Sequence, residues 1–322
     1  MRGAAALVGC VSLAGPMVGC SRDEPATPIP PGAGPTELAI SGTPVVMIGA
    51  GDIAVCGTGG DEATGKLVDS VLVADSVAGI ETAVVTFGDN AYPSGSSGVD
   101  NDFPRCFSPS WGSKRIMNVI HTAPGNHDYD SGSGAPYFTY FGASAGPPGK
   151  GYYSYDFGGW HVISLNSELY FGVGSQADVT AQEDWLRHDL ADHHSLCTLA
   201  YWHRTLFSSG TYGATSQVHR LWRILYDGGA DLVLNGHEHD YERFLPQTPD
   251  GVVDSVKGIP QIIAGTGGGV LRKVITPFAR NSVFQIHGRF GVLKLTLGAG
   301  EYRHAFIDAN GRVWDPGAGK CH

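Results

Sequence analysis

The protein has 322 residues, 42% of them hydrophobic, which is enough for one large α/β domain or two small ones. It carries 21 basic and 31 acidic side chains, a formal net charge of −10 at pH 7. A chain this acidic, with no basic cluster, cannot displace the counterions of a nucleic-acid polymer, so we exclude such a polymer as the main substrate.

The first twenty residues have the features of an export signal. Arg2 precedes an apolar stretch, Ala4–Val18, that is too short to span a bilayer as a helix. Met17-Val18-Gly19-Cys20 then resembles a bacterial lipobox, although Met17 stands where Leu is usual. We predict that residues 1–20 are a signal peptide of the lipoprotein type, lipidated on Cys20, in preference to an ordinary signal peptide.

This interpretation sets the expected organisation and location. Residues 21–40 are polar and Pro-rich, as expected of a flexible linker, and residues 41–322 follow as the folded domain. The lipoprotein signal predicts an exported protein at the cell surface or in the periplasm. An ordinary signal peptide predicts a secreted protein, and membrane contact is expected only through the lipid on Cys20.

Four cysteines remain once Cys10 and Cys20 are assigned to the signal and the anchor. They are Cys56, Cys106, Cys197 and Cys321. In an exported protein four thiols suggest two disulfides, with three possible pairings. We favour a Cys56–Cys106 pair, because both residues fall in loops shortly after polar motifs. A cysteine metal site is less favoured, since no Cys-x-x-Cys spacing occurs.

Short apolar runs alternate with helical patterns along the rest of the chain. Predicted strands are Val45–Ala50, Ala83–Gly88, Met117–Thr122, Leu199–Trp202, Leu232–Asn235 and Gln261–Ala264. Predicted helices are Asp61–Val77, Ala181–Asp192 and Ser216–Tyr226, with Thr180 as a cap of the second and Glu183 three residues on. Two hairpins are expected, Tyr152–Asp156 with His161–Asn166 and Phe290–Leu297 with Tyr302–Ile307. The sum is an α/β fold, a four-layer α/β/β/α sandwich of two mixed sheets flanked by helices.

Almost every central strand ends in a polar cluster. The clusters are Gly51-Asp52, Gly88-Asp89-Asn90-Ala91-Tyr92, Gly125-Asn126-His127-Asp128, Trp202-His203-Arg204 and Gly236-His237-Glu238-His239. Each alone is weak evidence, since a Gly-Asp is usually a turn and a lone His is usually structural. Five of them in order are hard to attribute to chance, because ligand sites of open α/β sheets lie at the carboxyl ends of strands.

The residue types suit two cations held close together. Carboxylate, amide and imidazole groups are common ligands, and a shared carboxylate can bridge two ions. Two bound cations can clamp a phosphoryl group during in-line displacement, and they lower the pKa of bound water. A nearby proton donor is then needed for the leaving alkoxide.

Taken together, these segments resemble the calcineurin-like metallophosphoesterase superfamily over Val45–Phe244, most of the folded domain. Within it the chain resembles the purple acid phosphatases. Many members of the superfamily carry Asp-x-His on the first strand, whereas this chain has Asp52-Ile53-Ala54. Purple acid phosphatases instead place a Tyr three residues after the bridging Asp, where Tyr92 stands, and Tyr241-Glu242-Arg243 is also typical of them.

This resemblance implies a site for two metal ions. Asp52, Asp89, Tyr92 and His239 would hold the first ion, and Asp89, Asn126, His203 and His237 the second, with Asp89 as the bridge. A phenolate from Tyr92 favours Fe(III) at its site, with Zn, Mn or Fe(II) at the other. The alternative for Tyr92 is an aromatic packed above the site.

His127 would be the proton donor or a phosphate-orienting group, because it adjoins a ligand without being one. The alternative is a supporting role only. We expect Asp128 to orient His127. Arg204 and Arg243 could contact phosphate or form structural ion pairs, and we leave them outside the site.

The resemblance therefore implies a phosphoric ester hydrolase that uses a metal-bound hydroxide on a small phosphate monoester, as an acid phosphatase does. The first alternative is a phosphodiesterase or nucleotidase with a di-zinc or di-manganese site on the same fold. The second is a non-catalytic binding module, which we consider less well supported because the ligand positions are filled.

Overall fold

The structure is a computed structural model that describes residues 40–93, 102–193, 195 and 197–322. The predicted signal peptide, the anchor Cys20 and all but the last residue of the predicted linker therefore lie outside the described residues. Within the described part, no helix combines the length and apolar character needed to cross a bilayer.

Two large sheets dominate the fold. The strands are β1 (Val45–Ala50), β2 (Ala54–Val55), β3 (Thr82–Phe87), β4 (Ala91–Tyr92), β5 (Ile120–Ala123), β6 (Tyr153–Phe157), β7 (Trp160–Ser164), β8 (Cys197–Trp202), β9 (Leu232–Asn235), β10 (Tyr241–Phe244), β11 (Gln261–Ala264), β12 (Ser282–Ile286), β13 (Gly291–Gly298), β14 (Glu301–Asp308) and β15 (Val313–Lys320). The first sheet has the order β15-β14-β13-β1-β3-β5 and the second β12-β10-β11-β9-β8-β7-β6, while β2 and β4 form a small separate pair.

In the residues that the structure describes, six α-helices and several single turns connect the strands. The helices are α1 (Gly60–Ala78), α2 (Ser108–Ser110), α3 (Lys114–Met117), α4 (Ala135–Phe141), α5 (Gln176–Asp192) and α6 (His219–Asp227). A π-helical turn spans Phe103–Phe107, and 3₁₀ turns span His127–Tyr129, Gly142–Ala145, Ser167–Phe171 and Ser216–Val218.

Both sheets are mixed, as predicted. Strands β1, β3 and β5 are parallel, and β13 joins them antiparallel. Strands β7, β8, β9 and β11 are likewise parallel. Strand β6 pairs antiparallel with β7, and β10 pairs antiparallel with both β11 and β12. The two predicted hairpins are confirmed as β6 with β7, joined through Gly158-Gly159, and β13 with β14.

Three apolar clusters separate four layers. The central cluster joins the facing sides of the sheets, for example Met47 and Val85 of the first with Leu199 and Leu234 of the second. Alternate residues of the first sheet, such as Ile48, pack instead against α1, α3 and α4. The outer face of the second sheet packs against α5 and α6. Because successive strand residues point to opposite faces, each central strand serves two layers, and the predicted α/β/β/α sandwich is confirmed.

The largest errors in the predicted boundaries are at the starts of β5 and α5. Met117–Val119 do not belong to a strand, because the Ser113 hydroxyl caps α3 by accepting from the Ile116 amide (3.3 Å), and β5 begins only at Ile120. Helix α5 begins five residues before the predicted Ala181. Its cap is Ser175, which forms a capping box with Asp178, whereas Thr180 lies inside the helix and bonds to the Gln176 carbonyl (3.0 Å).

Two disulfides tie loops to this framework. Cys56 pairs with Cys106, as we favoured from the sequence, and Cys197 pairs with Cys321. The first lies directly after β2, and the second joins the start of β8 to the residues that follow β15.

Candidate metal centre

The carboxyl ends of five parallel strands, from both sheets, meet at one edge of the sandwich. Strands β1, β3 and β5 lead to Asp52, Asp89 and Asn126, and strands β8 and β9 lead to His203 and His237. Backbone bonds join the two sheets there. The Gly51 amide donates to the Ala264 carbonyl (2.8 Å), and the His237 amide donates to Asp52 Oδ2 (2.8 Å).

Tyr92 stands at the centre of one half of the site. Its hydroxyl donates to Asp52 Oδ1 (2.8 Å) and lies 3.3 Å from His239 Nε2. His239 Nε2 also lies 3.2 Å from Asp52 Oδ1, while its Nδ1 donates to the Val270 carbonyl (2.7 Å). That last bond leaves Nε2 as the nitrogen that faces the other groups.

His203 organises the other half. Its Nδ1 donates to the Phe87 carbonyl (3.0 Å), so Nε2 faces the site. There Nε2 lies 3.2 Å from Asp89 Oδ2, 3.2 Å from Asn126 Oδ1 and 3.2 Å from His237 Nδ1. Four side chains thus point their donor atoms at a common volume.

Asp89 connects the two halves. Its Oδ2 accepts from the Tyr92 hydroxyl (3.1 Å) and also faces His203 Nε2 (3.2 Å), while its Oδ1 accepts from the His127 amide (2.8 Å). The structure therefore brings together all seven predicted ligands, Asp52, Asp89, Tyr92, Asn126, His203, His237 and His239, with Asp89 between the two sets.

The backbone adopts costly conformations here. Asp52 (φ 59°), Asp89 (φ 50°) and His237 (φ 69°) are three non-glycine residues in the left-handed region. Such conformations cost about 1–3 kcal/mol each and concentrate at functional sites. Gly125 is needed for close approach, since a Cβ there would lie 2.2 Å from Asp89 Oδ1.

The site is buried and electrostatically coupled. Burial opposes ionisation of Asp89, but the charges of His203 and His127 outweigh it and lower the carboxyl pKa. Burial likewise opposes charge on His203, yet Asp89 and Asp52 raise its pKa to about 10. Burial and the neighbouring His203 and Arg204 lower the pKa of His237 to about 3. Burial, with Asp52 and Asp89 close by, raises the pKa of Tyr92 well above its ordinary value.

His127 lies at the rim, one third exposed, with its ring 4.6 Å from the Tyr92 ring. Its Nδ1 faces the Pro93 carbonyl and Asp130 Oδ2 (2.9 Å for the latter). The expectation that Asp128 orients His127 is wrong. Asp128 is fully buried and accepts from the amides of Gly125 (2.8 Å) and Asn90 (3.1 Å), which closes the loop.

Comparison with known proteins decides the family. The model of the calcineurin-like phosphoesterase family matches residues 47–241, more than half of the chain. The chain belongs to this family. That segment contains the seven predicted ligands and His127.

Sequence relatives support the purple acid phosphatase-like branch. The chain is 29% identical to human acid phosphatase type 7 over 237 residues, 64% of this chain and 52% of the relative. It is 34% identical to purple acid phosphatase 15 of Arabidopsis thaliana over 98 residues, 29% of this chain and 18% of the relative. The chain thus spans about half the length, or less, of these curated relatives.

Solved structures share the fold. A purple acid phosphatase from yellow lupin seeds superposes with a TM-score of 0.68 at 21% identity, covering 86% of this chain and 54% of the other. GAP50, described as the anchor in the inner membrane complex of Plasmodium, superposes with a TM-score of 0.70 at 14% identity, covering 87% and 90%. Since the fold occurs in a protein described as an anchor, activity has to be argued from the site.

The donor set of this phosphoesterase-family chain fits cations. Asp52 and Asp89 are both buried, and the side chains next to them are the Tyr92 hydroxyl and the rings of His239 and His203. Buried carboxylates ordinarily require a positive partner, and a bound cation would supply that charge while the two imidazoles serve as neutral ligands. Oxygen and imidazole donors together suit divalent or trivalent transition metals. Asp89, shared between the two sets of donors, suits a pair of ions better than one.

Both arginines that we left outside the site form ion pairs. Arg243 donates to both oxygens of Asp315 (2.7 and 2.8 Å), which is the structural role. Arg204 donates through Nε to both oxygens of buried Glu168 (3.1 and 3.0 Å), but it also borders the open cavity next to His237.

Sequence reasoning missed Asp130 and Glu168. Asp130 follows His127 by three residues on one 3₁₀ turn, a spacing that could have suggested the contact. Glu168 lies in a separate 3₁₀ turn, 36 residues before Arg204, and no local signal marks it.

A second cluster of ligand-type residues lies away from this edge, between β7 and α5. His161 Nε2 lies 2.7 Å from Asp189 Oδ2, and His193 is adjacent. The His161 and His193 rings are stacked, 4.1 Å apart and 13° from parallel. Because a metal ion must lie in the plane of each ring that binds it, this stacking favours an ion-pair cluster over a metal site.

Proposed function

We propose that this protein hydrolyses small phosphate esters, with monoesters as the preferred class, at a centre of two metal ions. The observation that carries the proposal is the position of Asp89, whose Oδ2 faces both Tyr92 and His203. A carboxylate placed between two complete sets of donors is what a bridged pair of ions requires. The family assignment and the acid phosphatase relatives support the same conclusion.

We assign the ligands as the sequence suggests. Asp52, Tyr92 and His239 would hold one ion and Asn126, His203 and His237 the other, with Asp89 shared. Bound there, two cations supply a nucleophile from water and neutralise charge on the phosphoryl oxygens. Tyr92 would supply a hard anionic oxygen, and we propose Fe(III) beside it, with Zn, Mn or Fe(II) at the other position.

The chain's own residues fix the geometry around that centre. The His237 amide holds Asp52 through Oδ2, and the His127 amide holds Asp89 through Oδ1, so neither carboxylate can rotate freely. The Phe87 and Val270 carbonyls fix the rings of His203 and His239. Groups positioned before the substrate arrives need no reorganisation during the reaction.

We assign His127 as the proton donor to the leaving group. The Pro93 carbonyl can only accept, so Nδ1 of His127 carries a proton. The exchangeable proton is then on Nε2, and the contact of Nδ1 with Asp130 Oδ2 (2.9 Å) holds the ring in this orientation. The ring is partly exposed and next to Tyr92, as a group that meets substrate must be.

A non-catalytic role is less well supported. In a decayed site some ligands would be lost or turned away, whereas here all seven donors converge. The decisive experiment compares turnover of a phosphomonoester and of a matched diester by metal-loaded protein. Faster monoester hydrolysis, abolished by chelation and restored by metal, is expected. Hydrolysis of neither ester by fully loaded protein would reject the proposal.

The iron assignment has its own test. A tyrosinate bound to Fe(III) gives a charge-transfer band in the visible, which Tyr92→Phe should remove. A colourless active enzyme that loses nothing on Tyr92→Phe would reject iron at this position and leave the di-zinc or di-manganese alternative.

Export as a lipoprotein also remains a proposal. Its support is the lipobox-like segment ending at Cys20 and the two disulfides, which form in oxidising compartments. Expression of the full chain in a bacterial host tests it. Cys20→Ser should move the protein from the membrane fraction to the soluble fraction, and an unchanged distribution would contradict a lipid anchor there.

A further inference from the structure

Arg204 is held on two sides beside the metal centre. Its Nε donates to Glu168, whose side chain is only 1% exposed, and its guanidinium carbon lies 4.1 Å from the centroid of the Phe171 ring. These contacts fix both the Nε edge and the plane of the guanidinium. The bonds to Glu168 use only Nε, so the two terminal nitrogens of Arg204 do not take part in them.

One terminal nitrogen of Arg204, Nη1, lies toward the site. Nη1 is 3.4 Å from Nε2 of His237, and Arg204 borders a cavity of about 440 Å³ together with His237 and Asn126. Arg204 is the one lysine or arginine among the described residues that line this cavity. A substrate entering beside the second set of donors would therefore meet this guanidinium.

Metal binding would release a donor of Arg204. His237 directs Nδ1 at His203 Nε2 (3.2 Å), so Nδ1 is the nitrogen that would bind an ion. A neutral imidazole that binds through one nitrogen carries its proton on the other, and Nε2 could then no longer accept from Arg204. The Nη1–H group would face the cavity without its present acceptor, ready for an anion.

We propose that Arg204 binds a free phosphoryl oxygen of the substrate and thereby favours phosphate monoesters over diesters. This inference rests on the proposed function of the same site. A guanidinium offers N–H groups in a planar fork that matches phosphate oxygens. A monoester has one more unsubstituted oxygen and one more negative charge than a diester, so it gains more from the contact. Glu168 and Phe171 are positioning residues that act through Arg204.

The test uses metal-loaded protein, four single variants and one double variant, Arg204→Met with Glu168→Gln. Arg204→Met removes the donors, Arg204→Lys keeps the charge without the fork, and Glu168→Gln removes the positioning charge. Arg223→Met is the matched control, because Arg223 also pairs with a carboxylate, Asp250 (2.9 Å), but lies outside the cavity. Binding of inorganic phosphate is measured by calorimetry, metal content by elemental analysis, and kcat and KM with a matched monoester and diester.

Arg204→Met should weaken phosphate binding at least roughly tenfold, the effect of losing one charge-assisted hydrogen bond. Its kcat/KM should fall more for the monoester than for the diester, and Arg204→Lys should show part of both losses. Glu168→Gln should raise KM and weaken phosphate binding, with little further effect when combined with Arg204→Met. Arg223→Met should match the wild type.

Several results would overturn the inference. The first is unchanged phosphate affinity in Arg204→Met at full metal content, and the second is an equal loss of kcat/KM for the two esters. The third is loss of metal from both Arg204 variants, which would show that Arg204 supports the metal ligands instead of binding substrate. Failure of the proposed function looks different. The wild type would then bind phosphate in a manner that depends on Arg204 but hydrolyse no ester.

Discussion

Replacing Cys197 and Cys321 together by serine removes the disulfide between the start of β8 and the residues that follow β15. The double variant is needed because a single replacement leaves a free thiol that can form new pairs. The bond closes a loop with a sequence separation of 124 residues. In the unfolded chain that closure removes conformational entropy, which is worth about 5 kcal/mol at 25 °C in the chain-entropy account.

The expected change in melting temperature follows from the size of the folded unit, Ile40–His322. With an unfolding entropy of about 2.1 cal/mol/K per residue, a loss of 5 kcal/mol lowers Tm by roughly 8 °C. The metal centre should stay intact, because His203 follows the opposite end of β8, roughly 20 Å from Cys197 at about 3.3 Å per strand residue.

Thermal unfolding of the oxidised wild type and of the double variant measures the change in Tm. Elemental analysis and kcat show whether the metal site is intact. The matched comparison is a Cys56→Ser, Cys106→Ser variant. The disulfide that this variant lacks closes a loop with a sequence separation of 50 residues, so its loss should lower the folding stability by about 4 kcal/mol. Because Cys56 directly follows β2, which pairs with Tyr92 in β4, that variant should also lose metal. Unchanged Tm in the Cys197 and Cys321 variant, or loss of metal from it, would refute the reasoning.

Three further predictions concern single residues. His127→Asn should lower kcat about 100-fold or more at unchanged metal content, measured by steady-state kinetics; an unchanged kcat would exclude a proton-donor role. Ser175→Ala should lower the free energy of unfolding, measured with denaturant, by about 1 kcal/mol without changing kcat, because it removes the cap of α5. Equal stability of this variant and the wild type would show that Asp178 alone is enough to cap the helix. Burial opposes charge on His161, but the hydrogen bonds that its ring donates to Asp189 and Asp156 outweigh burial and raise its pKa, so the stability lost in His161→Asn should be greatest at about pH 5–6. That difference should shrink as pH rises through the raised pKa, and a difference that grows toward high pH would contradict the assignment.

The positions of the candidate site residues were predictable because strand ends follow a simple geometric rule. Parallel strands in one sheet bring their carboxyl ends to the same edge, so Asp52, Asp89 and Asn126 had to meet once their strands were recognised. Short polar motifs immediately after apolar runs made that recognition possible. The order of the strands across both sheets, with β13 beside β1, had no comparable local signal.

Contacts between side chains far apart in the sequence could not be predicted from the sequence alone. Glu168 holds Arg204 and Asp315 holds Arg243, and each pairing depends on how separate elements pack. The error at α3 has a local cause, since Met117–Thr122 is apolar enough for a strand, and the Ser113 cap overrides that preference for its first residue. Asp128 lies within the 3₁₀ turn that Asp130 ends, and only the backbone direction decides which of the two meets His127.

The shared role of Asp89 is the central claim, and metal stoichiometry tests it most directly. Elemental analysis of the wild type and of Asp89→Asn, purified and metal-loaded in parallel, counts the ions per chain. We predict two ions in the wild type and one or fewer in the variant, together with loss of phosphoester hydrolysis, because the amide weakens a bridge that needs negative charge. Two tightly held ions and full activity in Asp89→Asn would contradict it.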